Sequence, residues 1–358
     1  MHNQEDNSRS SIIERTTDYK PQKSWRSWLI GRPLSTADAA HETIGKRVGL
    51  AVFASDALSS NAYATQEILV ILAAAGSQAF GYVFPISLAI VLLLTIVSIS
   101  YEQIIHAYPD GGGAYIVARD NIGEVSALIA ASSLLMDYIL TVSVSISSGV
   151  AQIVSAYPNA YEYRVVIAVA AVMFITVINL RGVKESGAAI AIPSFFFIII
   201  MFVTLGIGMA KYFTGTLGSV IDPPEMVEVH GALAAITPFL LLHAFSSGTA
   251  ALTGIEAISN GITAFKEPRS KNAGITLIWM AVILASLFMG ISFLSVQTAA
   301  VPSEFETVIS QLVRTVFNGQ GFLYIAVILA TTIILLLAAN TAFAGFPRLS
   351  ALMATDGF

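Results

Sequence analysis

Residues 53–68 read FASDALSSNAYATQEI, and residues 243–265 read HAFSSGTAALTGIEAISNGITAF. Each stretch lies inside an apolar run long enough to cross a bilayer, which takes ~20 residues. Each interrupts that run with small hydroxyl-bearing residues and an acid. In hydrocarbon an irregular backbone is tolerated only where it lines a cavity or packs on protein. The two stretches therefore predict two discontinuous transmembrane helices facing a polar site.

Working outward, eight apolar runs qualify as spans: 48–75, 83–105, 125–156, 165–180, 188–212, 236–264, 274–296 and 321–344. The interrupted runs are the first and the sixth. A separation of five helices is the pattern of inverted repeats of five whose first helices are broken at the bilayer midplane. The expected fold is thus all-α and integral to the membrane, a multi-spanning bundle of the 5+5 inverted-repeat type. Residues 1–45 are expected to be a polar cytoplasmic tail and 46–358 the transporter domain. Within the tail, Ser24–Ile30 carries Trp25 and Trp28 among basic residues. It suits either a short helix on the membrane surface or an unstructured segment. The stretch 297–320 has helical pattern and is expected to lie on the outer surface. The closing FPRLSALMATDGF (346–358) reads as a connecting loop, so the second repeat is expected to be incomplete after its third helix.

Composition agrees. Hydrophobic residues are 55% of the chain and charged residues 11%, against ~25% charged in soluble domains. The mean hydropathy is +0.75. There is no cysteine, which excludes disulfides, thiolate metal sites and a cysteine nucleophile. No basic patch suggests nucleic acid. GGGAY at 111–115 has no following lysine and is no phosphate loop. Without a nucleophile elbow no hydrolytic triad is visible. Neither an enzyme nor a cofactor is expected.

Lysine and arginine placement sets the orientation. With the N-terminus inside, the tail, the loops at Arg119, Arg181–Lys184 and Lys266–Lys271, and the end at Arg348 face the cytoplasm. Of the 18 lysines and arginines, only Arg164, Lys211 and Arg314 then lie outside.

A carboxylate at membrane depth costs about 2.5–3.5 kcal/mol on insertion scales, so each one is a functional candidate. Asp56 and Glu67 fall in the first span, Asp137 in the third and Glu256 in the sixth, with Glu67 nearer the outer surface. Asp56 and Tyr63 are two turns apart on one face. Asp137, Thr141 and Ser145 step by four along the third span, and Thr253 precedes Glu256 by three. Carboxylate, hydroxyl and carbonyl oxygens suit a hard cation. His243, inside the sixth span, suits a structural role or a proton relay.

These segments resemble the amino acid–polyamine–organocation (APC) superfamily. The resemblance rests on YPDGGGAYIVARDNIG (108–123), INLRGVKESG (178–187), GIEAISNGITAFKEPRSKNAG (254–274) and FPRLSALMATDGF, and covers residues 45–358. Within the superfamily, ASDALSSNAYA (54–64), MDYILTVSVSISSG (136–149) and TGIEAISNG (253–261) are most similar to the KimA-type potassium importers of the KUP group. The resemblance implies the LeuT-type fold and proton-coupled potassium uptake by alternating access. It places the potassium site on Asp137, Thr141, Tyr63 and Thr253, with Asp56, Ser145 and Glu256 also among the family's site residues. The proton falls to Glu256 or Asp56, and the bundle of helices 1, 2, 6 and 7 rocks against helices 3 and 8. It further implies a later-helix tyrosine beyond Phe358, a possible homodimer, and cyclic di-AMP as partner only if a C-terminal domain follows. Potassium ion and proton are then the transported species, and the bilayer is the other partner. Asn61 departs from the small apolar residues usual in this group. The rival expectation is a permease for an amino acid, amine or polyamine. Two like charges at ~4 Å repel by about 4 kcal/mol at an effective dielectric of 20, so an ionised Asp56 opposes a carboxylate substrate but not an amine.

Overall fold

The computed structural model describes residues 43–109, 111, 113–180, 187–227 and 235–358. The tail, with its Ser24–Ile30 segment, lies outside the described residues except for 43–45, and so does the loop Arg181–Lys184.

The first span is two helices, α1 (Lys46–Ser59) and α2 (Ala64–Ala73), joined by a 3-10 turn at Ser60–Ala62. Next come α3 (Val83–Ala107), a loop helix α4 (Gly113–Asn121), and the spans α5 (Glu124–Ala156), α6 (Arg164–Leu180) and α7 (Gly187–Phe213). The sixth span is again split, into α8 (Pro238–Gly248) and α9 (Glu256–Asn260). The chain then forms α10 (Arg269–Gln297), the short α11 (Val308–Val316) and α12 (Phe322–Thr355). Among the described residues, seven helical stretches are long and apolar enough to cross a membrane. The first span is missing from the seven because its longer piece has only 14 residues, short of the ~20 that a bilayer needs.

What faces outward is apolar. Leu88, Leu92 and Ile96 of α3, Ile129, Met136 and Leu140 of α5, and Val165, Val169 and Met173 of α6 are all exposed. They recur at helical spacing and form stripes fit for lipid tails, where apolar contact needs no covering. Ile175 is the one buried residue of α6. By contrast α1 is buried almost throughout, from Gly49 to Ser59. It is packed between α7, α10 and α12, while α2 lies on α8, α3 on α10, and α5 on α12. The first span is therefore the hub of the bundle. Its polar residues can sit at that depth because protein, and not lipid, surrounds them.

Cross-links define the two ends. At one end the Ile44 amide donates to the Ala264 carbonyl at 2.8 Å and the Lys266 amide to the Ile44 carbonyl at 3.0 Å. At the same end, Arg119 of α4 donates to Asp356 beyond α12 at 2.6 Å. Lys46, Arg47, Arg119, Lys266, Arg269 and Lys271 gather here, and we refer to it as the basic end. At the opposite end the Val220 amide donates to the Thr298 carbonyl at 2.8 Å. There Arg314 pairs with Glu306 at 2.8 Å, and its guanidinium also donates to the carbonyl of Asp222 at 3.2 Å.

Three expectations change. The closing segment expected as a connecting loop is helix as far as Thr355, the last turns of α12. The stretch 297–320 does not simply lie on a surface. Its helix α11 buries Val308–Val313 and Val316, which is possible because its polar groups find internal partners. Gln311 donates to the Val301 carbonyl at 2.7 Å, and Ser310 meets the Tyr324 hydroxyl at 2.8 Å. The break in the first span is also tighter than an unwound segment, as the site shows.

Candidate functional site

Hydroxyl groups shape both breaks. Ser59 donates to the Asp56 carbonyl at 2.7 Å and Ser60 to the Ala57 carbonyl at 2.6 Å. Such back-bonding competes with the helical ladder and tightens the last turn of α1 into 3-10 form, with the Tyr63 amide bonded to the Ser60 carbonyl at 3.2 Å. The sixth span breaks more fully. Thr253 is extended (φ −61°, ψ 146°), and Gly254 follows with φ +81°, a left-handed geometry natural to glycine. Thr253 donates to the Ala250 carbonyl at 3.0 Å. The breaks touch through Ser60, whose hydroxyl also reaches the Ala251 carbonyl at 3.3 Å.

A cavity opens on each side of this contact. The inner one, of about 330 Å³, lies toward the basic end. It is lined by Asp56, Glu256, Tyr138, Asn260, Thr341 and Arg348, with Phe53 and Leu349 among its apolar walls. Oδ1 of Asp56 is buried there with no hydrogen-bond partner. Tyr138 packs onto α12 where Gly345 leaves room, since a β-carbon at 345 would stand 2.9 Å from its ring. The outer cavity, of about 470 Å³, is lined by Tyr63, Glu67, Asp137, Thr141, Ser247 and Thr253, with Ser143 and Ser147 beside them. Ser247 donates to Glu67 at 3.4 Å.

The residues singled out from sequence thus divide between two chambers. Asp56 and Glu256 face the inner one, while Tyr63, Asp137, Thr141 and Thr253 share the outer one. The groups stay within electrostatic reach of one another: both Glu256 and Asp137 act on Asp56. Ser145 is fully buried with its hydroxyl unpaired and lines neither chamber. Asn61 is likewise buried, with both amide atoms unpaired. His243 is exposed on α8 beside Phe239, away from both. Among the described residues no three His, Cys, Asp or Glu side chains converge to hold a metal ion, because the carboxylates are spread over two chambers.

Sequence reasoning missed Ser143, Ser147 and Ser247 in the outer chamber and Tyr138, Asn260, Thr341 and Arg348 in the inner one. For Ser143 and Ser147 a signal existed, because they continue the polar face of the third span one turn apart.

Comparison with known proteins fits this architecture. Residues 47–358 match a family model described as amino acid permease. The chain is 45% identical over 335 residues to the potassium transporter KimA of Bacillus subtilis (strain 168), covering 94% of this chain and 54% of that protein. It is 24% identical over 273 residues to the low-affinity putrescine importer PlaP of Escherichia coli (strain K12), covering 73% of this chain and 56% of that protein. The chain spans about half the length of these relatives. With a match that runs from the start of α1 to its last residue, this multi-pass membrane chain belongs to the amino acid permease family of the APC superfamily and is KimA-like within it.

Proposed function

We propose that this chain is the helical core of a secondary transporter that imports potassium with protons across the cell membrane by alternating access. One observation carries the reading. Asp137, Thr141, Tyr63 and Thr253, from three different spans, line a single cavity together with Glu67, and that cavity has two carboxylates and no basic side chain. Hydroxyls and carboxylates replace the water shell of a hard monovalent cation, whereas a carboxylate-bearing substrate would meet repulsion there. The potassium transporter among the relatives supports the choice of ion.

The outer chamber receives the ion, and its oxygens take over the hydration shell. The ion then passes the contact between the two breaks toward Asp56. Glu256, or Asp56, carries the coupled proton, so that ion and proton occupancy set one another's charge in the inner chamber. Rocking of the first, second, sixth and seventh spans against the third and eighth exposes the chambers alternately. The Ile44–Ala264 and Lys266–Ile44 hydrogen bonds fasten the start of the first span to the end of the sixth, so these two move together. The basic end faces the cytoplasm, as the positive-inside rule requires.

A second reading has its own support. The outer cavity, at about 470 Å³, exceeds what a single dehydrated ion fills, its two carboxylates would suit a diamine, and one relative is a putrescine importer. The test is growth at limiting potassium of a bacterium that lacks its own uptake systems, with the protein expressed from its complete coding sequence. Rescue that strengthens at acid pH supports proton-coupled potassium import. Absence of rescue with verified membrane expression, together with putrescine uptake, selects the amine reading.

A further inference from the structure

The inner cavity contains one charged group that this cycle leaves unused. Thr341, Gly345, Arg348 and Leu352 follow one another at steps of four, three and four along α12 and so share one face. All four line the cavity with Asp56 and Glu256. Arg348 is the cavity's basic side chain, and among the described residues it forms no hydrogen bond or ion pair. Two other arginines at this end are engaged, Arg119 with Asp356 at 2.6 Å and Asp120 at 3.1 Å and Arg269 with Glu267 at 3.1 Å, while Arg47 lines neither cavity. Within the same cavity, Oδ1 of Asp56 is buried and unpaired. The site therefore has an acceptor awaiting a cation and a fixed cation that does not fill that place. The outer cavity has no such group, so the two chambers differ in charge, two acids outside against two acids and one base inside.

We propose that Arg348 is the release residue of the transporter, a fixed positive charge that weakens the hold of the inner chamber on the transported cation. The proposal rests on the potassium reading above. Arg348 acts through its field and does not touch the ion. When the chamber opens to the cytoplasm, the guanidinium competes with the ion for the field of Asp56 and Glu256, and the ion leaves. A positive wall at this mouth also opposes re-entry of cytoplasmic cations.

The test is uptake of rubidium, as a potassium tracer, into cells lacking their own potassium uptake. Wild type, Arg348→Gln and Arg348→Lys are expressed from the complete coding sequence. Tighter inward-facing binding slows release, and when release limits turnover, maximal rate and KM fall together. Arg348→Gln is expected to lower both by about threefold or more, while Arg348→Lys stays within about twofold of wild type. A KM that is unchanged or raised in Arg348→Gln, or an equal defect in Arg348→Lys, would overturn the proposal. A raised KM for rubidium would instead show that Arg348 supports the ion site and does not empty it. Arg348→Ala and Arg348→Met provide further neutral variants. If none of the neutral variants reaches the membrane while Arg348→Lys does, the role is structural and the proposal fails. Wild-type protein that takes up no rubidium sinks the transport reading itself, which separates the two failures.

Discussion

A β-carbon on Gly254 would stand 2.9 Å from Cγ of Asp56 and 2.7 Å from the amide nitrogen of Ala57. The break of the sixth span is thus pressed backbone-first against the acid of the first span, and this contact divides the inner chamber from the outer.

Gly254→Ala should therefore abolish uptake and lower the midpoint of thermal unfolding. Two causes add. A left-handed φ costs a residue with a β-carbon about 1–2 kcal/mol, and the new carbon overlaps Asp56 and the backbone of α1, which cannot yield as a flexible side chain would. Measuring both quantities on purified protein decides the point. Retained uptake at normal stability would mean that the breaks are farther apart in the working protein.

Asp137→Asn keeps the shape of the outer chamber and removes one of its two charges. A bond to a charged group is worth about 1.5–3 kcal/mol, and each 1.4 kcal/mol is tenfold. Uptake at limiting potassium should fall by about tenfold or more, with the protein present at its normal level in the membrane. Full uptake by this variant would remove Asp137 from the ion path.

How much of this was legible from sequence depends on the kind of signal. Acids inside apolar runs announce themselves, because few physical reasons keep a carboxylate at membrane depth. Asp56, Asp137 and Glu256 were found that way, as were the two interrupted helices. Relative position was less legible. Asp137, Thr141 and Ser145 step by four, yet each such step turns ~40° further round the helix. After two steps Ser145 has rotated out of the outer chamber into the protein. Arg348 was read as a loop cation because hydropathy fades there, whereas α12 continues as helix to Thr355 and carries Arg348 up to the inner cavity. The burial of α11 was hidden for the opposite reason. Ser310 and Gln311 look solvent-facing, and only their partners across space make their burial possible.

Glu256→Gln should flatten the dependence of uptake on pH. If Glu256 carries the coupled proton, wild-type uptake rises as external pH falls, because the carboxyl is more often loaded. The amide cannot exchange a proton, so the variant should transport at a rate independent of pH, or fail to transport. Rubidium uptake across a pH series distinguishes these outcomes from an unchanged profile, which would move the proton to Asp56.

The basic end supplies a pH-dependent contact outside the membrane. The Tyr115 hydroxyl, on the buried ring of α4, donates to Asp356 Oδ2 at 2.7 Å, and Arg119 donates to the same oxygen at 2.6 Å. These bonds, that from Tyr115 first, hold the Asp356 carboxyl below its ordinary range. A carboxylate lowered in this way adds stability above its unfolded pKa of ~4 and loses it as pH falls through the folded value. Asp356→Asn should therefore lower the thermal midpoint near neutral pH, and the gap from wild type should close as pH drops below the carboxylate range. The group is exposed, so the gap should also shrink in high salt, where surface charges are screened within about 3 Å at 1 M. A gap that stays constant across pH and salt would show that the link between α4 and α12 depends on shape and not on charge. Thermal unfolding of wild type and variant over a pH series, at low and high salt, separates the two.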